Sequence, residues 1–230
     1  MKITLLHPSR KRDHIDYLAV IEKWNQPSPE YHLGIDQDET SYYVGKIPSR
    51  INVHVSSGLT LQNTQIPLNK SNIKFFNTAI SKTNAMAAKA TGDWLWFIAD
   101  DFEPSVYWYT MIESALMCFD PNERIVFTLE GKDKGKVNHP IMSRGFYKWQ
   151  GYFWHPEYAH VYCDDDLYLT ANSIGALKSL DFLAPHFSHN HPVSTGDWSD
   201  KIHWTANQKH IYDYGYKIFE ERKNIIKELK

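Results

Sequence analysis

The chain has 230 residues with 27 acidic against 25 basic side chains, 42% hydrophobic and 23% charged, a balance that excludes a disordered or fibrous protein and leaves ample core for unaided folding. A formal net charge of −2 excludes a globally basic nucleic-acid binder. Two cysteines exclude a disulfide framework or a zinc ribbon, and no run reaches the ~20 apolar residues of a membrane span. With no signal-peptide core after Met1, the expected setting is the cytoplasm. Twelve His, 8 Trp and 14 Tyr are the unusual counts.

Ile3 to Leu6 is a short β-rich run, so a buried first strand is expected, stopped by Pro8. Near-helical apolar spacing at Ile15, Leu18, Ala19 and Ile21 predicts a helix over Asp13 to Trp24. Tyr31 to Ile35 predicts a second strand that ends in Asp36, Asp38 and Glu39, and Ile51 to Val55 a third. Residues 56–70 suit a loop. Asn72 to Ala90 is Ala-rich and predicts a long helix stopped by Gly92. Trp94 to Ala99 is a continuous apolar run of strand length, the pattern of a central strand buried on both faces. A helix opening at Pro104 and running through Phe119 follows, then a strand over Arg124 to Leu129.

This order predicts an α/β domain with a mainly parallel sheet. Ligands of such sheets bind beyond the carboxyl ends of the strands, which gathers Pro8, Ser9, Arg10, Asp36, Asp38, Asp100 and Asp101 on one rim. Beyond residue 145 the aromatic stretch 146–162 suits a loop or irregular strand pair. Asp164 to Leu180 predicts a helix with three Asp in its first turn, where the helix dipole favours negative charge. Asp181 to Pro192 is irregular and His-rich, and Trp198 to Leu229 is an amphipathic surface stretch.

Three constellations carry chemistry. Asp100 and Asp101 end the apolar run, and paired carboxylates of this kind suit Mg²⁺ or Mn²⁺ beside a phosphate group; capping of the next helix by Asp101 is the plain alternative. Asp164, Asp165 and Asp166 offer a general base or, again, caps. His189 and His191 alternate, which puts two imidazoles on one side of an extended segment. Aromatics around Trp149, Tyr152, Phe153, Trp154 and Tyr158 suit either core or a stacking platform. Lys132, Lys134, Lys136, Arg144 and Lys148 form either a phosphate-binding patch or a solvated loop.

The stretch from Lys82 through Asn84, Ala90, Gly92 and Asp93 to Asp100, Asp101 and Pro104 resembles the core signature of GT-A-fold nucleotide-sugar glycosyltransferases, especially family 2-like enzymes and small phage-encoded relatives. There a helix with Asn, Ala and Gly at these spacings precedes the strand and its Asp-x-Asp metal motif. Leu5 to Arg10 and Gly34 to Glu39 look like that family's nucleotide-binding edges. One departure is visible: Ile98 stands two before Asp100, so the motif is reduced to Asp-Asp.

The resemblance implies a single Rossmann-like GT-A domain over 1–230, with 1–104 binding the nucleotide sugar and 105–230 the acceptor. It implies that Asp101 ligates Mn²⁺ or Mg²⁺, that Asp100 contacts ribose or the metal's waters, and that Asp36 or Asp38 accepts the uracil imide proton. Pro8, Arg10 and Asn84 join the donor site, Arg12 faces phosphate or base, and His189 or His191 completes the metal shell. Asp164 is then the catalytic base of an inverting transfer, with Asp166 the second choice. The donor would be a UDP-sugar, and the acceptor a saccharide, a protein or a hydroxymethylated base in phage DNA. Competing expectations are a nucleotidyltransferase, disfavoured because residues 8–12 hold no glycine, and a sugar- or nucleic-acid-binding module without chemistry.

Overall fold

The computed structural model describes residues 1–11, 16–61, 67–129, 135–189 and 208–229. In chain order the elements are β1 (Ile3–Pro8), α1 (Tyr17–Trp24), β2 (Glu30–Asp36), α2 (Thr40–Tyr43), β3 (Asn52–Ser56), β4 (Leu59–Thr60), β5 (Phe76–Asn77), α3 (Ala79–Ala87), β6 (Trp94–Phe97), β7 (Phe102–Pro104), α4 (Trp108–Leu116), β8 (Val126–Thr128), β9 (Ile141–Ser143), α5 (Arg144–Gln150), α6 (Cys163–Ser173), β10 (Leu177–Ser179), β11 (Phe187–His189) and α7 (Lys209–Ile226). Seven strands form one sheet in the order β10-β8-β9-β6-β1-β2-β3. Every pairing is parallel except those of β9 with β6 and with β8. The expected α/β class with a mainly parallel sheet holds.

The apolar runs of β1 and β6 are continuous because each strand feeds two cores. Ile3, Leu5, Trp94 and Trp96 point into one, with Trp24 and Trp108. Leu6 and Leu95 point into the other, with Met142, Phe146 and Phe153. Successive side chains of a strand alternate faces, so both faces are covered. The chain reverses its direction of winding at β1, with β2 on one side and β6 on the other. That switch point opens a crevice at the carboxyl ends of these strands.

Four element predictions need correction. The helix expected over Asn72 to Ala90 starts only at Ala79, where the Thr78 side chain accepts from the Ser81 N–H and the Ser81 hydroxyl accepts from the Thr78 N–H in a capping box; residues before it form a 3-10 turn and β5. Pro104 lies in β7, whose antiparallel partner is β11, and the following helix begins at Trp108. Helix α6 ends at Ser173, because Gly175 at φ +69° turns the chain into β10. The aromatic stretch opens inside a helix, α5, instead of a loop. Of the amphipathic C-terminal stretch, residues 198–207 lie outside the described residues; α7 buries Ile211, Tyr214, Gly215 and Ile218 at helical spacing.

At the amino end of the sheet, His54 Nε2 lies 2.8 Å from His32 Nδ1, and His32 Nε2 lies 3.2 Å from Glu30 Oε1. Burial holds His32 below its ordinary value and brings His54 down to about 4. Against the opposing effect of burial, hydrogen bonds from Thr4, His32 and Thr91 keep Glu30 at about 2. The unfolded chain therefore binds protons that the folded one excludes, and the stability present above the unfolded histidine value is lost as pH falls toward 4. The melting temperature is expected to fall between pH 7 and pH 4, and less steeply in His54→Gln, as measured by thermal denaturation at fixed ionic strength.

Candidate active site

The carboxyl ends of β1, β2 and β6 bring three acidic positions onto one rim. Asp36 is buried at the end of β2. Its Oδ2 accepts from Lys82 Nζ at 2.8 Å and from Arg10 Nη1. Lys82 is itself 4% exposed and also donates to the Ser9 carbonyl at 2.9 Å. Both cations converge on one oxygen, while Asp36 Oδ1 is buried with no hydrogen-bond partner among the described residues. Arg10 reaches the exposed Asp38 at 3.2 Å as well. Glu39, the third carboxylate near it, is raised by burial against the pull of Arg10. Pro8 ends β1 beside Gly34. Arg12 lies outside the described residues.

Asp100 is buried and held on several sides. His7 Nε2 and Ser9 Oγ each lie 2.8 Å from its Oδ1, and the Arg10 N–H donates to Oδ2 at 3.4 Å. His7 Nδ1 is in turn 2.6 Å from the Tyr31 hydroxyl. No helix follows Asp101, which removes the capping alternative.

The β7–β11 pairing sets His189 opposite Phe102, and His189 Nε2 comes 4.0 Å from Asp101 Oδ2. A third residue joins them. His139, buried just before β9, stacks on Phe102 with ring centroids 3.8 Å apart and planes at 6°, and meets His189 edge-on at 4.5 Å. One ligand atom from each of Asp101, His139 and His189 lies within 4.8 Å of the others. Sequence reasoning missed His139; its signal, a histidine before Pro140 at a strand start, acquires meaning only through β9. His191 lies outside the described residues.

The carboxylate-and-imidazole set suits a transition-metal cation better than Mg²⁺, which prefers oxygen ligands alone. The donors come from both sides of residue 104.

Asn84, on α3 two residues beyond Lys82, is engaged by the chain's own backbone. Its Oδ1 accepts from the Phe153 and Trp154 N–H groups, both at 2.9 Å, and its Nδ2 donates to the Trp154 carbonyl at 2.7 Å, so the amide ties the 153–154 loop to α3.

The three Asp of α6 have separated. Asp166 is buried in an ion pair with Arg222, accepting from its Nε and, at 3.1 Å, from Nη2; Tyr158 donates to it at 2.9 Å. These partners give it a structural task. Asp164 is half-buried; burial first, then the adjacent Asp165, raises it to about 7, with Lys136 pulling the other way. Lys136 thus faces the carboxylates, and Arg144 donates to the Ala90 and Gly92 carbonyls, which disperses the basic patch considered from sequence; Lys132 and Lys134 lie outside the described residues. Among the described residues no helix is long and apolar enough to cross a membrane.

No protein-family model matches the chain, and no curated protein matches it in sequence. Solved structures do. TarS 1–349 of S. aureus in complex with UDP aligns with a TM-score of 0.52 at 13% identity, over 79% of this chain and 58% of that one. TarS 1–349 crystallised without a named ligand gives 0.54 at 15% identity, over 84% and 61%. TarS 1–349 in complex with UDP-GlcNAc gives 0.53 at 14% identity, over 79% and 56%. The likeness is one of fold, the GT-A fold of nucleotide-sugar glycosyltransferases, and this chain spans between 56% and 61% of the length of those TarS chains.

Removing Lys82 would leave a buried carboxylate with one cation fewer. Lys82→Met is expected to cost about 3 kcal/mol, and Lys82→Met combined with Asp36→Leu to recover part of it, as read from urea denaturation.

Proposed function

We propose that this chain is a glycosyltransferase that moves a sugar from a UDP-sugar to an acceptor hydroxyl with inversion, assisted by Mn²⁺ held by Asp101, His139 and His189. One observation carries the reading: two imidazoles and a carboxylate converge at the carboxyl end of β6, in a GT-A fold, on the same rim as a buried carboxylate oxygen that has no partner among the described residues. Asp36 Oδ1 is a ready acceptor for the N3–H of uracil, because its sister oxygen is already committed to Lys82 and Arg10. The bound TarS ligands, UDP and UDP-GlcNAc, are of the class proposed here.

Bound at the trio, Mn²⁺ would offset the negative charge gathered on the leaving diphosphate. The chain's own residues supply the rest. Asp100, fixed by His7 and Ser9, orients its neighbour Asp101 and offers a carboxylate edge to the ribose. Asp164 takes the proton from the acceptor hydroxyl as that oxygen bonds to the anomeric carbon; the bond from the anomeric carbon to the diphosphate breaks, and the nucleoside diphosphate leaves from the opposite face. A carboxyl near 7 suits this work, since a base is most effective when its pKa lies close to the working pH. Asp166, neutralised by Arg222, serves the scaffold.

The first test is a donor panel: UDP-glucose, UDP-galactose and UDP-GlcNAc incubated with purified protein and Mn²⁺ or Mg²⁺, with UDP release measured. Mn²⁺ is expected to support faster release than Mg²⁺, and Asp101→Ala or His139→Ala to lower it on the order of 100-fold. Turnover unchanged by Asp101→Ala would overturn the reading. The rate is also expected to rise with pH through about 7, as Asp164 loses its proton, and Asp164→Asn to abolish that limb along with most of the activity.

A further inference from the structure

Helix α7 has no place in the chemistry so far, yet it grips the turn that leads into Asp164. Tyr162, two residues before Asp164, is one of two non-glycine residues among those described with a left-handed backbone, at φ +70°. For a residue with a side chain that conformation costs energy and persists only where surroundings impose it. The surroundings here are α7. The Tyr162 ring packs against Tyr212, Tyr216 and Phe219, with centroids 5.1, 5.7 and 5.5 Å away. Gly215, on the same helix, lets the two backbones close up: a methyl group there would sit 2.9 Å from the Val161 carbonyl oxygen and 3.2 Å from the Tyr162 ring. About two turns beyond Gly215, Arg222 fixes Asp166 within the first turn of α6.

We infer that α7 is the positioning element of the catalytic base: the aromatic clamp on Tyr162, the close contact at Gly215 and the Arg222–Asp166 pair together set the turn 161–163 and aim Asp164 at the acceptor. This rests on the reading of Asp164 as the base. Tyr162 and Arg222 act through Asp164, as positioning residues, and need no contact with donor or cation.

The test uses the full chain, Mn²⁺ and the UDP-sugar hydrolysed fastest in the donor panel, with water as the acceptor. Tyr162→Gly accepts the left-handed backbone without strain but removes the clamp. It is expected to lower kcat about 100-fold, the scale of a misplaced catalytic group, while KM for the donor and the calorimetric affinity for UDP with Mn²⁺ stay as in the parent. Tyr162→Phe keeps the rings together and is expected to restore kcat. Gly215→Ala, which pushes α7 off the turn, repeats the measurement should Tyr162→Gly unfold. Parent-like kcat in the folded clamp variants, or UDP affinity lost in step with kcat, would overturn the inference. Asp164→Asn separates the two levels: if it hydrolyses donor at the parent rate, the base assignment fails; if it is inactive while the clamp variants are not, the positioning role alone fails.

Discussion

The stack of Phe102 against His139 is the contact on which the site depends. Phe102 is fully buried, at 0% exposure, and follows Asp101 directly, so whatever fixes its ring fixes that carboxylate. His139 lies on one side at 3.8 Å, and Phe187 and Trp24 pack at 5.4 and 5.6 Å. The Phe102 carbonyl accepts the Trp24 indole N–H at 2.9 Å. Offset or edge-on aromatic pairs have strong geometric preferences, and a hub of this kind holds three distant stretches of chain, at 24, 139 and 187, in one relation. The imidazole of His139 is thereby both core and candidate ligand.

Charge is organised on a different rule. The buried carboxylates have specific partners: Asp36 with Lys82 and Arg10, Asp100 with His7 and Ser9, and Asp166 with Arg222. Leaving such groups without partners in the interior would cost several kcal/mol each. The carboxylates proposed as metal ligand and as base, Asp101 and Asp164, are the half-buried ones beside them. The near-zero net charge of the chain conceals this difference in burial among its carboxylates.

Much of this was legible in the sequence where local pattern and tertiary role coincide. β1, β2 and β6 were readable because their apolar runs are bounded by Pro8, Asp36 and Asp100, and those same boundaries delivered the rim. The start of α3 is set by the Thr78 and Ser81 cap against an Ala-rich composition that favours a longer helix, and the end of α6 by Gly175. The hydrogen bonds of Asn84 to the 153–154 loop span about seventy residues of sequence and leave no local trace. His139 and the place of β9 leave no local trace, since β9 docks on β6 across more than forty residues and His139 takes its position from that docking. The partnership of Asp166 with Arg222 joins residues 56 apart in sequence and is equally invisible to local reasoning.

The β7–β11 ribbon that carries His189 has a thermodynamic consequence. It is three residues long on each side and stands outside the main sheet, and an isolated two-stranded ribbon is marginally stable in water. What holds it is its anchorage in the core, where Phe102 and Phe187 pack on the Trp24 and Trp96 rings, so the ribbon opens only by giving up those buried contacts. A cation held by Asp101, His139 and His189, as proposed above, would bind the closed ribbon alone, and each tenfold excess of cation over its dissociation constant would add about 1.4 kcal/mol to closure. Metal concentration would then set how long the strand bearing His189 stays docked, and hydrogen exchange at Phe187, Ser188 and His189 would follow the metal.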